Sequence, residues 1–208
     1  QTGRPSGSFS ASVGGSDPVF GRTFGYLLSG TYSYSEELRL DQRRAQALPT
    51  VGGGTDEIDR FEGTSGGRTV LWGGLANLQT LLGTHSKISL NTTYNRTADD
   101  EARFETGFSE NLGQEFQIQR LRYIERSVLS SQLAGEHQIG TSHRIDWSGT
   151  FSRVSRSEPD RSEFVMQIEP GQSPAWFSVS NDSAVSTFGE LEESGLEGDS
   201  SYALSFGP

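Results

Sequence analysis

The chain has 208 residues, of which 32% are hydrophobic and 26 are glycine. It has no cysteine, which excludes a disulfide framework and a thiolate zinc site, and its formal net charge of −10 argues against nucleic acid, whose phosphates need clustered Lys and Arg. No stretch approaches the ~18 apolar residues of a membrane helix; the most apolar run, Val70-Leu71-Trp72-Gly73-Gly74-Leu75-Ala76, contains two glycines.

The aromatic content of 10% argues against a disordered Gly/Ser-rich chain. The chain starts at Gln1 without an initiator Met or a signal peptide, and reads as a mature chain or an excised piece.

Period-two spacing recurs along the chain, whereas helical spacing is hard to find. The first expected strand covers 7–14. In the second, over 23–39, Phe24, Tyr26, Leu28, Gly30, Tyr32 and Tyr34 share one face, against Gly25, Leu27, Ser29, Thr31, Ser33 and Ser35. A third follows over 67–80. In the fourth, over 86–97, Ile88, Leu90, Thr92 and Tyr94 oppose Lys87, Ser89, Asn91, Thr93 and Asn95. The fifth spans 115–138. In the sixth, over 143–157, Ile145, Trp147, Gly149 and Phe151 oppose Asp146, Ser148, Thr150 and Ser152. The seventh, over 187–206, sets Tyr202, Leu204 and Phe206 against Ser201, Ala203 and Ser205.

A half-buried soluble strand alternates in the same way. The polar faces here carry Ser, Thr, Asn and Gly rather than Lys and Glu, which suits a crowded polar barrel lumen. The gaps between the expected strands alternate, at about 8, 27, 6, 17, 5 and 29 residues, as barrels with short turns on one side and long loops on the other require. The short turns 15–22, 81–86 and 139–143 are expected at one end, and the long segments 40–66, 98–114 and 158–186 at the other. A weak repeat supports the turns: Leu82-Gly83-Thr84-His85-Ser86-Lys87-Ile88 resembles Ile139-Gly140-Thr141-Ser142-His143-Arg144-Ile145, as if one tight turn were used twice. The strand over 115–138 is about twice the ~9–11 residues that cross a bilayer. Its charged part, Arg120, Arg122, Glu125 and Arg126, is therefore expected beyond the membrane, and Leu129–Ile139 within it.

The run Leu121-Arg122-Tyr123-Ile124-Glu125-Arg126-Ser127-Val128-Leu129-Ser130-Ser131-Gln132-Leu133-Ala134-Gly135-Glu136-His137 leads through a short turn to Ile145-Asp146-Trp147-Ser148-Gly149-Thr150-Phe151-Ser152-Arg153 and Glu158-Pro159-Asp160-Arg161. This resembles the barrel region of TonB-dependent receptors, especially those with a carboxypeptidase-regulatory-like domain. Phe188-Gly189-Glu190-Leu191-Glu192-Glu193, leading into Tyr202-Ala203-Leu204-Ser205-Phe206, looks like a further strand of the same kind. The likeness is good over about 115–208 and looser over 1–114. It implies an all-β antiparallel up-and-down meander of about seven long strands, a segment of a large transmembrane β-barrel in the cell outer membrane. Such receptors import scarce ligands with energy passed through TonB. No plug domain, TonB box or closing strand is recognised over 1–208, so contact with TonB would run through a plug region outside this sequence.

The expected partners are outer-membrane lipid and an imported ligand, a glycan or a metal chelate; no cofactor, catalytic set or metal site is expected. His85, His137 and His143 read as surface or interfacial polar residues, because no helix converges them. Asp99-Asp100-Glu101 lacks the spaced ligands of a calcium loop. With Glu105, Glu110 and Glu115, against Arg103 alone, it reads as a solvated acidic loop. Asn91-Thr92-Thr93, Asn95-Arg96-Thr97 and Asn181-Asp182-Ser183 match the glycosylation sequon, which carries no meaning in a bacterial protein. Val51-Gly52-Gly53-Gly54-Thr55 has no Lys after it and reads as a flexible loop. Trp72, Tyr94, Tyr123 and Trp147 fit an aromatic girdle or lipid-facing surface. Leu90, Leu133, Trp147, Gly149 and Leu204 are expected on the lipid side, and Asn91, Gln132, Ser148 and Ser205 in the lumen. An enzyme, and a soluble or cell-surface adhesive β-domain, are the competing function classes.

Overall fold

The computed structural model describes residues 5–19, 21–177 and 183–206, and among these it is all strand and turn. Seven long strands form one antiparallel meander: β1 (Gly7–Val19), β2 (Arg22–Pro49), β3 (Thr55–Leu82), β4 (Ser86–Ser109), β5 (Gln114–Ile139), β6 (His143–Ile168) and β8 (Ala184–Leu204). A two-residue strand, β7 (Ala175–Trp176), continues the β8 edge along β6. The order is β1-β2-β3-β4-β5-β6, with β7 and β8 both on β6, and β1 and β8 do not pair, so the sheet is open.

The up-and-down meander agrees with the expectation from sequence, but the strand limits do not. The segments 40–66, 98–114 and 158–186 are not long loops. β2 and β3 run on to a turn at 50–54, β4 and β5 to a turn at 110–113, and only 169–183 is a longer connection. The first strand likewise continues past 14 to Val19. The alternation of gap lengths was therefore a change of composition along continuous strands. The 26 residues of β5, at ~3.3 Å each, reach more than twice the ~30 Å of a bilayer core.

Positive-φ glycines turn the chain at every hairpin: Gly21, Gly53, Gly83, Gly113, Gly140 and Gly171. The repeated Leu/Ile-Gly-Thr motif is the same device used twice, closing three-residue loops between Leu82 and Ser86 and between Ile139 and His143. Val51-Gly52-Gly53-Gly54-Thr55 falls in the β2–β3 turn, where Gly53 N–H donates to Thr50 O at 3.0 Å and Gly54 N–H to Thr50 Oγ1 at 3.1 Å.

Cross-strand register fixes which residues share a face, since directly opposed residues point the same way. One face carries Trp72, Tyr94, Tyr123 and Trp147, and is called here the Trp face. The opposite face carries Arg103, Arg120, Arg122 and Arg126, and is called the Arg face. The lower half of the sheet is the end near the turns at 20–21, 83–85 and 140–142; the upper half is the other end.

In the lower half the Trp face is mostly apolar, with Thr92, Ser131 and Arg153 among its polar interruptions. One row across the sheet reads Gly15, Tyr26, Leu78, Leu90, Leu133, Gly149 and Gly198, and the next reads Val13, Leu28, Ala76, Thr92, Ser131, Phe151 and Leu196. The Arg face beneath reads Gly14, Leu27, Asn77, Asn91, Gln132, Thr150 and Glu197. Leu90, Leu133, Trp147, Gly149 and Leu204 thus share one face, with Asn91, Gln132 and Ser148 on the other. The separation is incomplete on β2 and β3, where Leu27, Leu71 and Leu75 stand on the Arg face.

In the upper half the Trp face still exposes Leu38, Phe104, Phe108 and Leu121, but burial is on the other side. The buried strand side chains, Phe61, Ser65, Glu105, Ser109, Phe116, Ile124 and Glu158, all lie on the Arg face of the upper half. Phe177, from the connection after β7, packs edge-on to Phe116 at 5.0 Å and closes a small cluster with Phe61, Ile118 and Val165. Nearby, β3 and β4 approach so closely that a Cβ on Gly63 would lie 2.1 Å from Phe104 O, and one on Gly107 would lie 2.0 Å from Arg60 O. Neither position admits a side chain unless the strands part.

Candidate functional site: a charged slot on the Arg face

The upper Arg face gathers charges that are scattered in sequence. Arg122 and Arg103 both bind Glu101, at 2.5 and 2.9 Å, and Arg103 and Arg44 both reach Glu105, at 3.6 and 3.1 Å. Arg120 binds Glu163 at 2.5 Å, Arg126 binds Asp99 at 2.5 Å and Arg156 binds Glu158 at 2.7 Å. Glu105 and Glu158 are buried, at 6% and 4% exposure, so their partners are required: an uncompensated charge there is costly. The acids of 98–114 are therefore not a solvated loop. Asp99, Glu101 and Glu105 alternate along β4 with their side chains on the Arg face, in ion pairs to β2 and β5 and to Arg103 of β4 itself.

Within this surface lies a slot of about 300 Å³ lined by residues of β2, β3, β4 and β5. Its floor is β3, where Ser65, Gly67 and Thr69 present small groups. Ser65 Oγ donates to Gln42 Oε1 at 2.6 Å, and Thr69 Oγ1 donates to Asp99 Oδ1 at 2.8 Å. Its two rims carry the same motif. Register places Glu37 and Glu101 on either side of Gly67, and Arg39 and Arg103 on either side of Ser65. On the β2 rim, Arg39 Nε donates to Glu37 Oε1 at 2.6 Å and Arg39 Nη2 to Glu37 Oε2 at 2.7 Å. Those hydrogen bonds hold the Glu37 carboxyl below its ordinary value. The Arg39 guanidinium is raised, first by Glu37 and also by Glu101 across the slot. On the β4 rim the Arg103 Nε is buried and has no hydrogen-bond acceptor.

The slot's lining charges balance. On the Arg face Glu37, Asp99 and Glu101 contribute three negative charges, and Arg39, Arg103 and Arg122 three positive ones, for a sum of zero. The arrangement suits a small polar guest without net charge. The sequence signal for it is Glu-x-Arg, at Glu37-Leu38-Arg39 and Glu101-Ala102-Arg103, a spacing that puts both groups on one strand face; the partnership between strands is visible only in the register.

The histidines do not converge. His85 Nδ1 contacts Thr84 Oγ1 at 2.6 Å, and His143 Nδ1 contacts the Tyr202 hydroxyl at 2.6 Å. His137 accepts the Trp147 indole N–H on Nε2 at 2.9 Å, and its Nδ1 contacts Ser86 Oγ at 3.0 Å. Among the described residues no His, Asp or Glu group is placed to hold a metal ion. The Trp147 ring lies over Gly135, where a Cβ would sit 2.4 Å from its atoms.

The proposed girdle residues occupy two levels. Trp72 and Tyr94 pair at 5.1 Å and Phe9 and Tyr32 stack at 5.7 Å on the upper side of the apolar band; Trp147 stacks with His137 at 6.4 Å and Tyr202 with His143 at 5.9 Å on the lower side. Tyr123 belongs to neither, since it stands higher, opposite Asp100 and Asp160. Asn91 and Asn95 of the sequons lie within β4, and Asn181 lies outside the described residues. Comparison of the chain with protein-family models, with curated proteins and with solved structures gives no match.

Proposed function

We propose that this chain is part of the wall of an outer-membrane transport barrel of the TonB-dependent receptor kind, with lipid on the lower Trp face and a polar import path along the Arg face. One observation carries the reading: the lower Trp face is a largely apolar band, interrupted by Thr92, Ser131 and the Arg153–Glu192 ion pair, with aromatic side chains on both sides, and among the described residues no second layer covers it. Phe9, Val13 and Leu28 are 67%, 58% and 44% exposed, and Leu133, Leu196 and Tyr202 are 44%, 85% and 60% exposed. A contiguous exposed apolar surface of this kind marks contact with a membrane or another protein. Aromatic rows on both sides of an apolar band are the mark of lipid. From the Ile88 row, which holds Trp147, to the Arg96 row, which holds Trp72, is eight residues along β4, about 26 Å at ~3.3 Å per residue. That matches the ~25 Å apolar belt of a barrel.

The open edges at β1 and β8 suit a segment that is completed by further strands. In this reading energy coupling through TonB belongs to a plug region, and the part played by this chain is to bind and pass a ligand.

The chain has no cysteine of its own, so single cysteines report cleanly. Spin labels at Leu90, Thr92 and Leu133, and at Asn91 and Gln132, are compared in lipid vesicles. Labels on the first three should be reached by oxygen dissolved in lipid, and labels on the last two by an aqueous nickel complex. Equal aqueous access on both faces would remove the membrane reading and leave the adhesive β-domain.

A further inference from the structure

We propose that the slot over Gly67 binds a small zwitterion of the α-amino-acid class, with its ammonium against Glu37 and Glu101 and its carboxylate against Arg39 and Arg103. The two rims of the slot set like charges against each other. β2 and β4 flank β3 and run parallel to each other, so their Glu-x-Arg motifs point the same way in the same register. Carboxylate therefore faces carboxylate across Gly67, and guanidinium faces guanidinium across Ser65, at about two strand spacings, ~9.6 Å between Cα atoms.

Two parallel dipoles side by side repel. A third dipole inserted between them in the opposite sense is attracted by both. A zwitterion is such a dipole, whereas an anion or a cation would satisfy one row and worsen the other. The zero net charge of the lining agrees.

The length of the guest follows from contact distances. The Glu37 and Arg39 head groups touch at 2.6 Å, and so do those of Glu101 and Arg103 at 2.9 Å, so the charges of each rim are adjacent. A guest whose own charges are one carbon apart matches that spacing, and one with well-separated charges does not. The cavity, about 300 Å³, is at the small end of ligand sites. Gly67 keeps it open: a Cβ there meets only Asp100 O, at 3.8 Å, so a larger side chain would enter the slot rather than be blocked by the sheet.

Binding in the slot does not depend on what covers the Trp face. That the zwitterion is cargo rests on the transport reading proposed above.

The test is calorimetric titration of the full chain, folded in detergent micelles and checked by circular dichroism, with L-alanine as the probe. N-acetyl-L-alanine lacks the ammonium, L-alaninamide lacks the carboxylate, and maltose is a neutral polyol. We expect saturable L-alanine binding, at least tenfold weaker binding of both blocked forms, and loss of binding in Gly67→Leu but not in Thr93→Leu. Glu37→Gln, an exposed position that folding does not need, should weaken L-alanine by several fold and leave L-alaninamide weak.

The proposal is overturned if the folded chain shows no saturable L-alanine binding, if a blocked form binds as well, or if maltose takes the slot instead. Should Gly67→Leu not fold, the blocked-ligand series and Glu37→Gln decide alone. L-alanine binding without the spin-label alternation would remove the transport reading and keep the site; alternation without binding would do the reverse.

Discussion

The two halves of this sheet solve the same problem in opposite ways. A single-layer sheet has two faces and too little of itself to cover either. The lower half leaves its hydrophobic groups on the Trp face, uncovered, and puts Asn91, Gln132 and Ser148 behind them. The upper half buries a small cluster on the Arg face, under Phe177, and ties charges there into pairs within and across the strands, while Leu38, Phe104, Phe108 and Leu121 on its Trp face stay exposed. Among the described residues, the buried side chains belong to the upper half and to the connection that packs on it. In the reading proposed above, lipid covers the lower Trp face.

The sharpest way to break this comparison is to damage each half in turn and measure unfolding in urea from lipid vesicles. Phe116 is 2% exposed and central to the upper cluster, so Phe116→Ala should cost about 3–5 kcal/mol. The same loss in water and in vesicles is expected, because the cluster is the chain's own.

Leu90→Arg should cost about 2–4 kcal/mol in vesicles and little in water, while Asn91→Arg is tolerated in both. Trp147→Arg, at the lower aromatic level, should cost less than Leu90→Arg, and Ser148→Arg should be tolerated. Equal tolerance at Leu90 and Asn91 would mean that the halves do not differ in solvent.

A third measurement sharpens the lower aromatic level. Gly135→Ala brings a Cβ to 2.4 Å from the Trp147 ring, which must leave its place against His137, so a loss of about 1–3 kcal/mol and a changed indole fluorescence are expected. Gly149→Ala meets nothing within 4 Å and should be neutral.

The smallest effect belongs to the exposed Glu37–Arg39 pair. The Glu37 carboxyl is lowered in the folded chain, so whatever stability it gives is present above its unfolded pKa, ~4.3, and is lost as pH falls through the lower folded value. Both groups are in water, so Glu37→Gln should leave the urea midpoint unchanged from pH 7 to pH 3. A shift in that window would mean the rim is structural, which would weaken its assignment to a ligand.

The sequence was most legible where one strand carries its own pattern. Ile88 to Asn95 and Ile145 to Ser152 alternate apolar with small polar groups, and the face assigned to each is the one the register gives. The repeated Gly-Thr turn was legible for a similar reason, since a positive φ at Gly83 and Gly140 is a local demand.

What failed was the reading of charged stretches as loops. Asp99, Glu101, Arg103 and Glu105 look like solvated residues one strand at a time. Their partners, Arg122, Arg126 and Arg44, lie on β5 and β2, and the charges become affordable in a strand only when those neighbours are in place. The slot was out of reach for the same reason. Each Glu-x-Arg motif is visible alone, but their opposition across Gly67 depends on the β2–β3 register, which passes through irregularities between Arg39 and Gln42 and between Gln46 and Ala47.

The meander has a consequence for how the molecule comes into being. Along the backbone each long strand lies only against the long strand before it and the one after it, and side chains reach past a neighbour as Arg44 of β2 does to Glu105 of β4. Folding energy in such a chain is a series of nearest-neighbour couplings, as in a stack of repeats, and no single long-range closure is needed before contacts begin to form. Assembly can start at any of the tight hairpins and zip outward in both directions. Defects stay local as well: Gly135→Ala on the β5–β6 hairpin and Tyr32→Ala on the β1–β2 hairpin share no partner strand, so their losses should add in the double variant within about 0.5 kcal/mol.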